Sequence, residues 1–129
     1  MRKREYIIEF IKRQKTVFVG SVDEDGFPNI KAMFTPRKIA GNCFYFSTNT
    51  SSMRSRHFMK NPKASIYFYK RGRFKYEGIM LICTMEVLQD DDIKREIWSI
   101  GDTMYYKEVV ADPDYCVLKF TAVKARYYC

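Results

Sequence analysis

From Lys3 to Gln14 the apolar residues Tyr6, Ile7, Phe10 and Ile11 recur at i, i+1, i+4 and i+5, a spacing that predicts a short amphipathic helix. The pattern then shifts to β-branched residues. Thr16 to Val22 reads as a strand, and Asp23-Glu24-Asp25-Gly26 supplies the Asp-Gly signal of a hairpin turn. A second strand is expected over Asn29 to Thr35, with Pro28 tolerated because it opens the strand. Pro36 and Gly41-Asn42 mark the next turn, and Cys43 to Thr48 reads as a third strand.

Polar residues from Asn49 to Ser52 could cap a short helix over Ser52 to Lys60, which Asn61-Pro62 would end. A fourth strand over Ala64 to Tyr69 and a fifth over Tyr76 to Gln89 flank a basic hairpin loop, Lys70 to Lys75. Asp90-Asp91-Asp92 then places acids at the start of a helix running to about Ile100, the end a helix dipole prefers for negative charge. Gly101 to Asp114 reads as a short helix and loop. In the final strand, Tyr115 to Tyr128, Cys116, Leu118, Phe120 and Ala122 alternate with Val117, Lys119, Thr121 and Val123. Six strands with short helices between them predict a mainly β, α+β fold, a small antiparallel barrel in one domain over residues 1–129.

Composition agrees. The 129 residues include 21 aromatics, 11 Ile, 8 Val and 7 Thr, against 3 Leu and 6 Ala, which excludes a helical bundle as the natural reading. No apolar run approaches the roughly 18 residues needed to span a bilayer. Glu9, Lys12 and Arg13 interrupt any signal-peptide core. Cys43, Cys83, Cys116 and Cys129 form no C-x-x-C pair and read as free thiols of a cytoplasmic protein. His57 is the only histidine and stands in no metal-ligand spacing.

Charge is distributed unevenly. The 51 residues from Gly26 to Tyr76 contain no Asp or Glu and 11 Lys or Arg, whereas Glu77 to Cys129 holds 10 acids and 6 bases. A half-chain without carboxylates favours an anionic partner: a phosphate-bearing small molecule, a nucleic acid or an acidic lipid surface. There is no G-x-G-x-x-G, P-loop or G-x-S-x-G motif, and the acids do not pair into an acid/base site. An enzyme built this way would leave the chemistry to a cofactor. The segment Phe46 to Arg54 joins a strand to a hydroxyl-rich loop and a helix start bearing Arg54, with Lys31 on the neighbouring strand; such a start can hold phosphate, or be a plain cap.

The stretch Asp25-Gly26-Phe27-Pro28-Asn29-Ile30-Lys31-Ala32-Met33 resembles the D-G-x-P-x-x-[RK]-x-[MV] strand of the pyridoxamine 5′-phosphate oxidase-like FMN-binding split barrels. Phe44 to Thr48, Ser52-Met53-Arg54 and Asn61 to Phe68 resemble the next pieces in the same order. Ile97-Trp98, Tyr105-Tyr106, Asp112 to Tyr115 and Val117-Leu118 resemble the short general-stress-protein branch. The resemblance covers nearly the whole chain.

It implies a six-stranded antiparallel split β-barrel that forms a homodimer with FMN at the subunit interface. Lys31 and Arg54, helped by Ser52, would hold the FMN phosphate. The backbone of Ala32, Met33 and Phe34 would run along the flavin, and Ser47 and Thr48 would contact its ring or ribityl chain. Met53 belongs to the same cofactor-binding set but stands where the oxidases carry a second basic residue, and Pro36 stands where they carry a lysine. The chain ends without the extension that completes the pyridoxal pocket, so pyridoxamine phosphate oxidation itself is not implied. The expectation is an FMN-dependent oxidoreductase with NAD(P)H as candidate electron donor and no single catalytic side chain. Two alternatives remain: a non-enzymatic flavin- or haem-binding protein on the same barrel, and a basic nucleic-acid-binding barrel. The latter would use Lys70, Arg71, Arg73 and Lys75, with Phe74 and Tyr76 for stacking.

Overall fold

The computed structural model describes residues 2–49, 61–101 and 115–129. Two helices and seven strands follow one another as α1 (Arg2–Arg13), β1 (Thr16–Val22), β2 (Pro28–Phe34), β3 (Lys38–Ala40), β4 (Cys43–Asn49), β5 (Lys63–Arg71), β6 (Tyr76–Leu88), α2 (Asp91–Gly101) and β7 (Tyr115–Tyr128). The mainly β architecture expected from the pattern is present, with one correction: β3 raises the strand count from six to seven. It is three residues long, lies between two turn signals, and pairs with β4 through Lys38↔Tyr45, Ile39↔Phe44 and Ala40↔Cys43. The helix expected over 52–60, with His57, and the segment 102–114 lie outside the described residues.

Local chemistry explains the turns. The Asp23 carboxylate accepts from the backbone N–H of Asp25 and Phe27 at 3.0 and 2.9 Å, and Gly26 takes φ +85°, a conformation that needs no Cβ. Gly41, at φ +62°, turns β3 into β4. The β1–β2 hairpin then runs in register from Val22↔Pro28 to Thr16↔Phe34.

Every strand pair is antiparallel, in the order β2-β1-β5-β6-β7-β4-β3. Alternation sends one side chain in two into a shared interior. Val17 and Val19 of β1, Phe44 and Phe46 of β4, Ile66 and Phe68 of β5, Leu81 of β6 and Leu118 and Phe120 of β7 are buried in one cluster, sealed by Phe10 and Ile11 of α1. Strands from both ends of the order share that cluster, so the sheet curls around it. On the outer side Val117 is covered by Ile97 of α2, and Lys38 of β3 ion-pairs with Glu96 of α2 at 2.6 Å. A bulge between Ile82 and Cys83, opposite Val123, lets the long β6–β7 pair bend.

The opposite outer face is aromatic. Tyr67 stacks on Tyr69 at 6.2 Å, and a Cβ at Gly78 would stand 2.7 Å from Tyr67 Cζ, so the glycine makes room for that ring. All four cysteines are free thiols; burial pushes the Cys83 thiol up to about 12 and leaves it inert. Among the described residues, no helix is long and apolar enough to cross a membrane.

Candidate functional site

Among the described residues the curled sheet does not close on itself by hydrogen bonds, and edge strand β2 shares with β4, the strand next to the other edge, a cleft of about 370 Å³. Lys31, Ala32, Met33 and Phe34 of β2 form one wall, continued by Thr35 and Arg37. Phe46 and Ser47 of β4 form the other, and Thr16 closes the cleft where β1 begins.

Register places these side chains. Lys31 pairs with Val19 and Met33 with Val17. Directly opposed residues point to the same side of a sheet, and both valines are buried, so Lys31 and Met33 turn towards the interior side. There the sheet is split and water can enter; Lys31 keeps its ammonium exposed while Met33 is half-buried. Phe46 is 1% exposed and is both the floor of the cleft and part of the core. Ala32 and Phe34 alternate to the outer side, where Phe34 is 81% exposed at the cleft's rim.

Five of the expected site residues, Lys31, Ala32, Met33, Phe34 and Ser47, are therefore brought to one cleft. Thr48 lies one step farther along β4, opposite Cys116, and is half-buried outside the lining. Ser52, Met53 and Arg54 lie outside the described residues. Thr16, Thr35 and Arg37 line the cleft without having been singled out from the sequence, and Phe46, named there only as the strand residue that opens the Phe46 to Arg54 segment, lines it too. Arg37 was visible only as one of eleven bases in the acid-free stretch. Its backbone N–H donates to the Tyr45 carbonyl at 2.8 Å, which holds it against β4.

Among the described residues the lining combines two cations, three hydroxyls and an apolar floor, with no carboxylate. Such a donor set suits a flat apolar ring system carrying an anionic tail. Among the described residues no group of three His, Cys, Asp or Glu side chains could hold a metal ion.

Two other features lie away from the cleft. The basic hairpin carries Lys70, Arg71, Arg73 and Lys75 exposed, with Phe74 92% exposed and the Arg73 guanidinium 5.6 Å from its ring centre. Glu77 of β6 accepts from Tyr127 Oη at 2.5 Å and from Tyr6 Oη of α1. The two phenols hold the Glu77 carboxyl below its ordinary range, and the carboxylate raises both tyrosines. This triad fastens α1 to the sheet.

Comparisons with known proteins agree on the family. The family model of pyridoxamine 5′-phosphate oxidase matches residues 4–129. A solved Clostridium acetobutylicum protein, described as related to general stress protein 26 of Bacillus subtilis and of the pyridoxinephosphate oxidase family, is 38% identical. It superposes with a TM-score of 0.81, covering 98% of this chain and 88% of that one. General stress protein 26 from Bacillus anthracis is 19% identical with a TM-score of 0.77, covering 98% and 94%. A structure described as an F420 reductase is 15% identical with a TM-score of 0.70, covering 92% and 94%. The last two likenesses are of fold. No curated protein matches the chain.

Proposed function

The chain belongs to the pyridoxamine 5′-phosphate oxidase family, and on that premise we propose that it is a homodimeric FMN-binding flavoprotein acting as an oxidoreductase on a small substrate. The observation that carries this reading is the cleft at the split of the sheet. It gathers Lys31, the β2 backbone from Ala32 to Phe34, and Ser47 around the apolar floor of Phe46.

Each part has a role in holding FMN. Lys31, with Arg54 and Ser52 of the segment that follows β4 in the chain, would pair with the phosphate through charge-assisted hydrogen bonds. Met33 and Phe46 would pack the ring system, and Ser47 would donate to or accept from its polar edge. Ser52, Met53 and Thr48 belong to the same proposed set. Bound FMN supplies acceptance and donation of hydride or single electrons, a chemistry for which the protein needs no acid or base of its own. NAD(P)H is the proposed donor. The F420 reductase likeness supports this fold as a framework for reductases.

The proposed dimer rests on the outer face. Ile30 is 77% and Phe34 81% exposed on edge strand β2, and this apolar strip continues through Phe18, which is opposite both Ala32 and Tyr67. Exposed apolar surface of this kind marks an interface, and a two-fold mate on it would cover the rim of the cleft. Sedimentation and FMN titration test the two halves of the reading; a monomer that leaves FMN unbound contradicts both.

A further inference from the structure

We propose that the outer face of β5, β6 and β7, at the end where the β5–β6 hairpin turns, is a platform for single-stranded nucleic acid, with tyrosines to stack on bases and cations to meet phosphates. Register sets the face. Ile66 and Phe68 of β5 and Ile79 and Leu81 of β6 are buried in the core, so the residues that alternate with them point outwards. Tyr67 and Tyr69 of β5 therefore share the outer side with their β6 partners Met80 and Gly78, and Arg71 stands opposite Tyr76 at the hairpin end. On β7, Tyr128 is opposite Gly78, Arg126 opposite Met80 and Lys124 opposite Ile82.

The rings form one continuous surface. Tyr69 stacks on Tyr67 at 6.2 Å and lies 5.9 Å from Tyr76, and Tyr128 meets Tyr67 edge-on at 6.4 Å. Tyr67 fills the space over Gly78 as a floor, while Tyr69, Tyr76 and Tyr128 are 40, 45 and 38% exposed. Every charge at the outward positions from Ser65 to Arg71, Tyr76 to Ile82 and Lys124 to Tyr128 is positive: Arg71, Lys124 and Arg126, all exposed. Strand geometry sets Lys124 and Arg126 about 7 Å apart. Glu77, the one acid between Lys63 and Thr84, alternates to the other side, where Tyr6 and Tyr127 hold it.

The two features together select the partner. A single strand offers base faces and phosphates side by side, and aromatic rings bordered by cations take both without reading sequence. A second copy laid on this face would set cations against cations. The strip of Ile30, Phe34 and Phe18 proposed for the dimer has no charge among the outward residues of β1 and β2. A lipid surface would engage the protruding Phe74 at the hairpin tip rather than a sheet of phenols.

The test uses full-length protein and fluorescent oligothymidine, alone or as its duplex with oligoadenine, read by anisotropy. Wild type is expected to prefer the single strand, with log affinity falling against log salt at a slope of about −2, the value for about three neutralised phosphates. Tyr76→Leu should bind about tenfold more weakly and Tyr76→Phe like wild type, because the ring is what stacks. Arg71→Gln combined with Arg126→Gln should flatten the slope to about −0.7. If Tyr76→Leu does not fold, the slope of the arginine variant decides. No saturable binding by wild type, equal binding in folded Tyr76→Leu, an unchanged slope or a preference for duplex overturns the proposal. So does sedimentation in which Tyr76→Leu turns a dimer into a monomer, because the face would then be the subunit interface. Retention on phosphatidylglycerol vesicles that Phe74→Ser abolishes, without oligothymidine binding, overturns it in favour of a membrane.

Discussion

The ring of Phe46 meets that of Phe120 edge to face, with centroids 5.1 Å apart and planes at 80°. The contact crosses from β4 to β7, and Phe46 is also the floor of the cleft. Site and core are thus one packing problem. Phe120→Ala is expected to lower unfolding free energy by about 3–5 kcal/mol, because a fully buried aromatic leaves a cavity that its neighbours only partly fill. Denaturant unfolding measures the loss, and FMN affinity should fall with it as the floor loosens. A change under about 1 kcal/mol would show that the two rings are not packed as described.

Lys31→Gln should weaken FMN binding roughly ten- to a hundredfold, the usual scale for one charge-assisted contact, while leaving riboflavin binding nearly unchanged. Arg54→Ala should do the same. Parallel fluorescence titrations with the two flavins measure this. Equal losses for FMN and riboflavin would place the lysine against the ring rather than the phosphate.

The Glu77 triad predicts a pH window. The native carboxyl is held below its ordinary 4.5, so its contribution is full above that pH and is lost as pH falls through the native value. The native tyrosines are raised above 10.0, so their contribution is full below pH 10 and is lost as pH climbs through the native values. The stability gap between wild type and Glu77→Gln should therefore be widest from about pH 5 to 10 and shrink on both sides. Thermal melts across that range measure it; a gap that does not vary with pH would mean that ionised Glu77 is not the acceptor.

Much of this was legible in the sequence. Runs of β-branched and aromatic residues, each bounded on at least one side by a Gly, Pro or Asp signal, located β1, β2, β4, β5, β6 and β7 to within about two residues. β3 was not legible, since three residues cannot display a period. The β1–β5 and β4–β7 pairings were not legible either, because packing across the interior decides them and no turn links those strands. The candidate site was half legible. Lys31 to Phe34 and Ser47 stood in recognisable strands, but Arg37 sits in the short link after Pro36, where nothing along the chain says which side a cation faces. Only the Tyr45 carbonyl, reached through the fold, gives its direction.

Phe34→Glu should convert the proposed dimer to a monomer, since it places a charge in the apolar strip shared with Ile30 and Phe18. Sedimentation at micromolar concentration measures the change. Wild type sedimenting as a single chain would show that the strip has another use.

His57→Gln should keep flavin reduction by NAD(P)H within about tenfold, because a flavin mechanism asks no side chain to act as an indispensable base, whose loss typically costs ~10²–10⁴. Stopped-flow bleaching of bound FMN gives the rate. A hundredfold drop at unaltered FMN affinity would mean that the reacting edge lies beside His57.

The central claim is that the split of the sheet holds FMN, and the measurement closest to it is the absorbance and fluorescence of the purified protein before and after FMN is titrated in. The account predicts a perturbed flavin spectrum and quenched fluorescence that saturate at one FMN per chain, with the effect lost in Lys31→Gln at the same concentrations. A free-FMN spectrum at every ratio, from protein whose fold is intact, would contradict it.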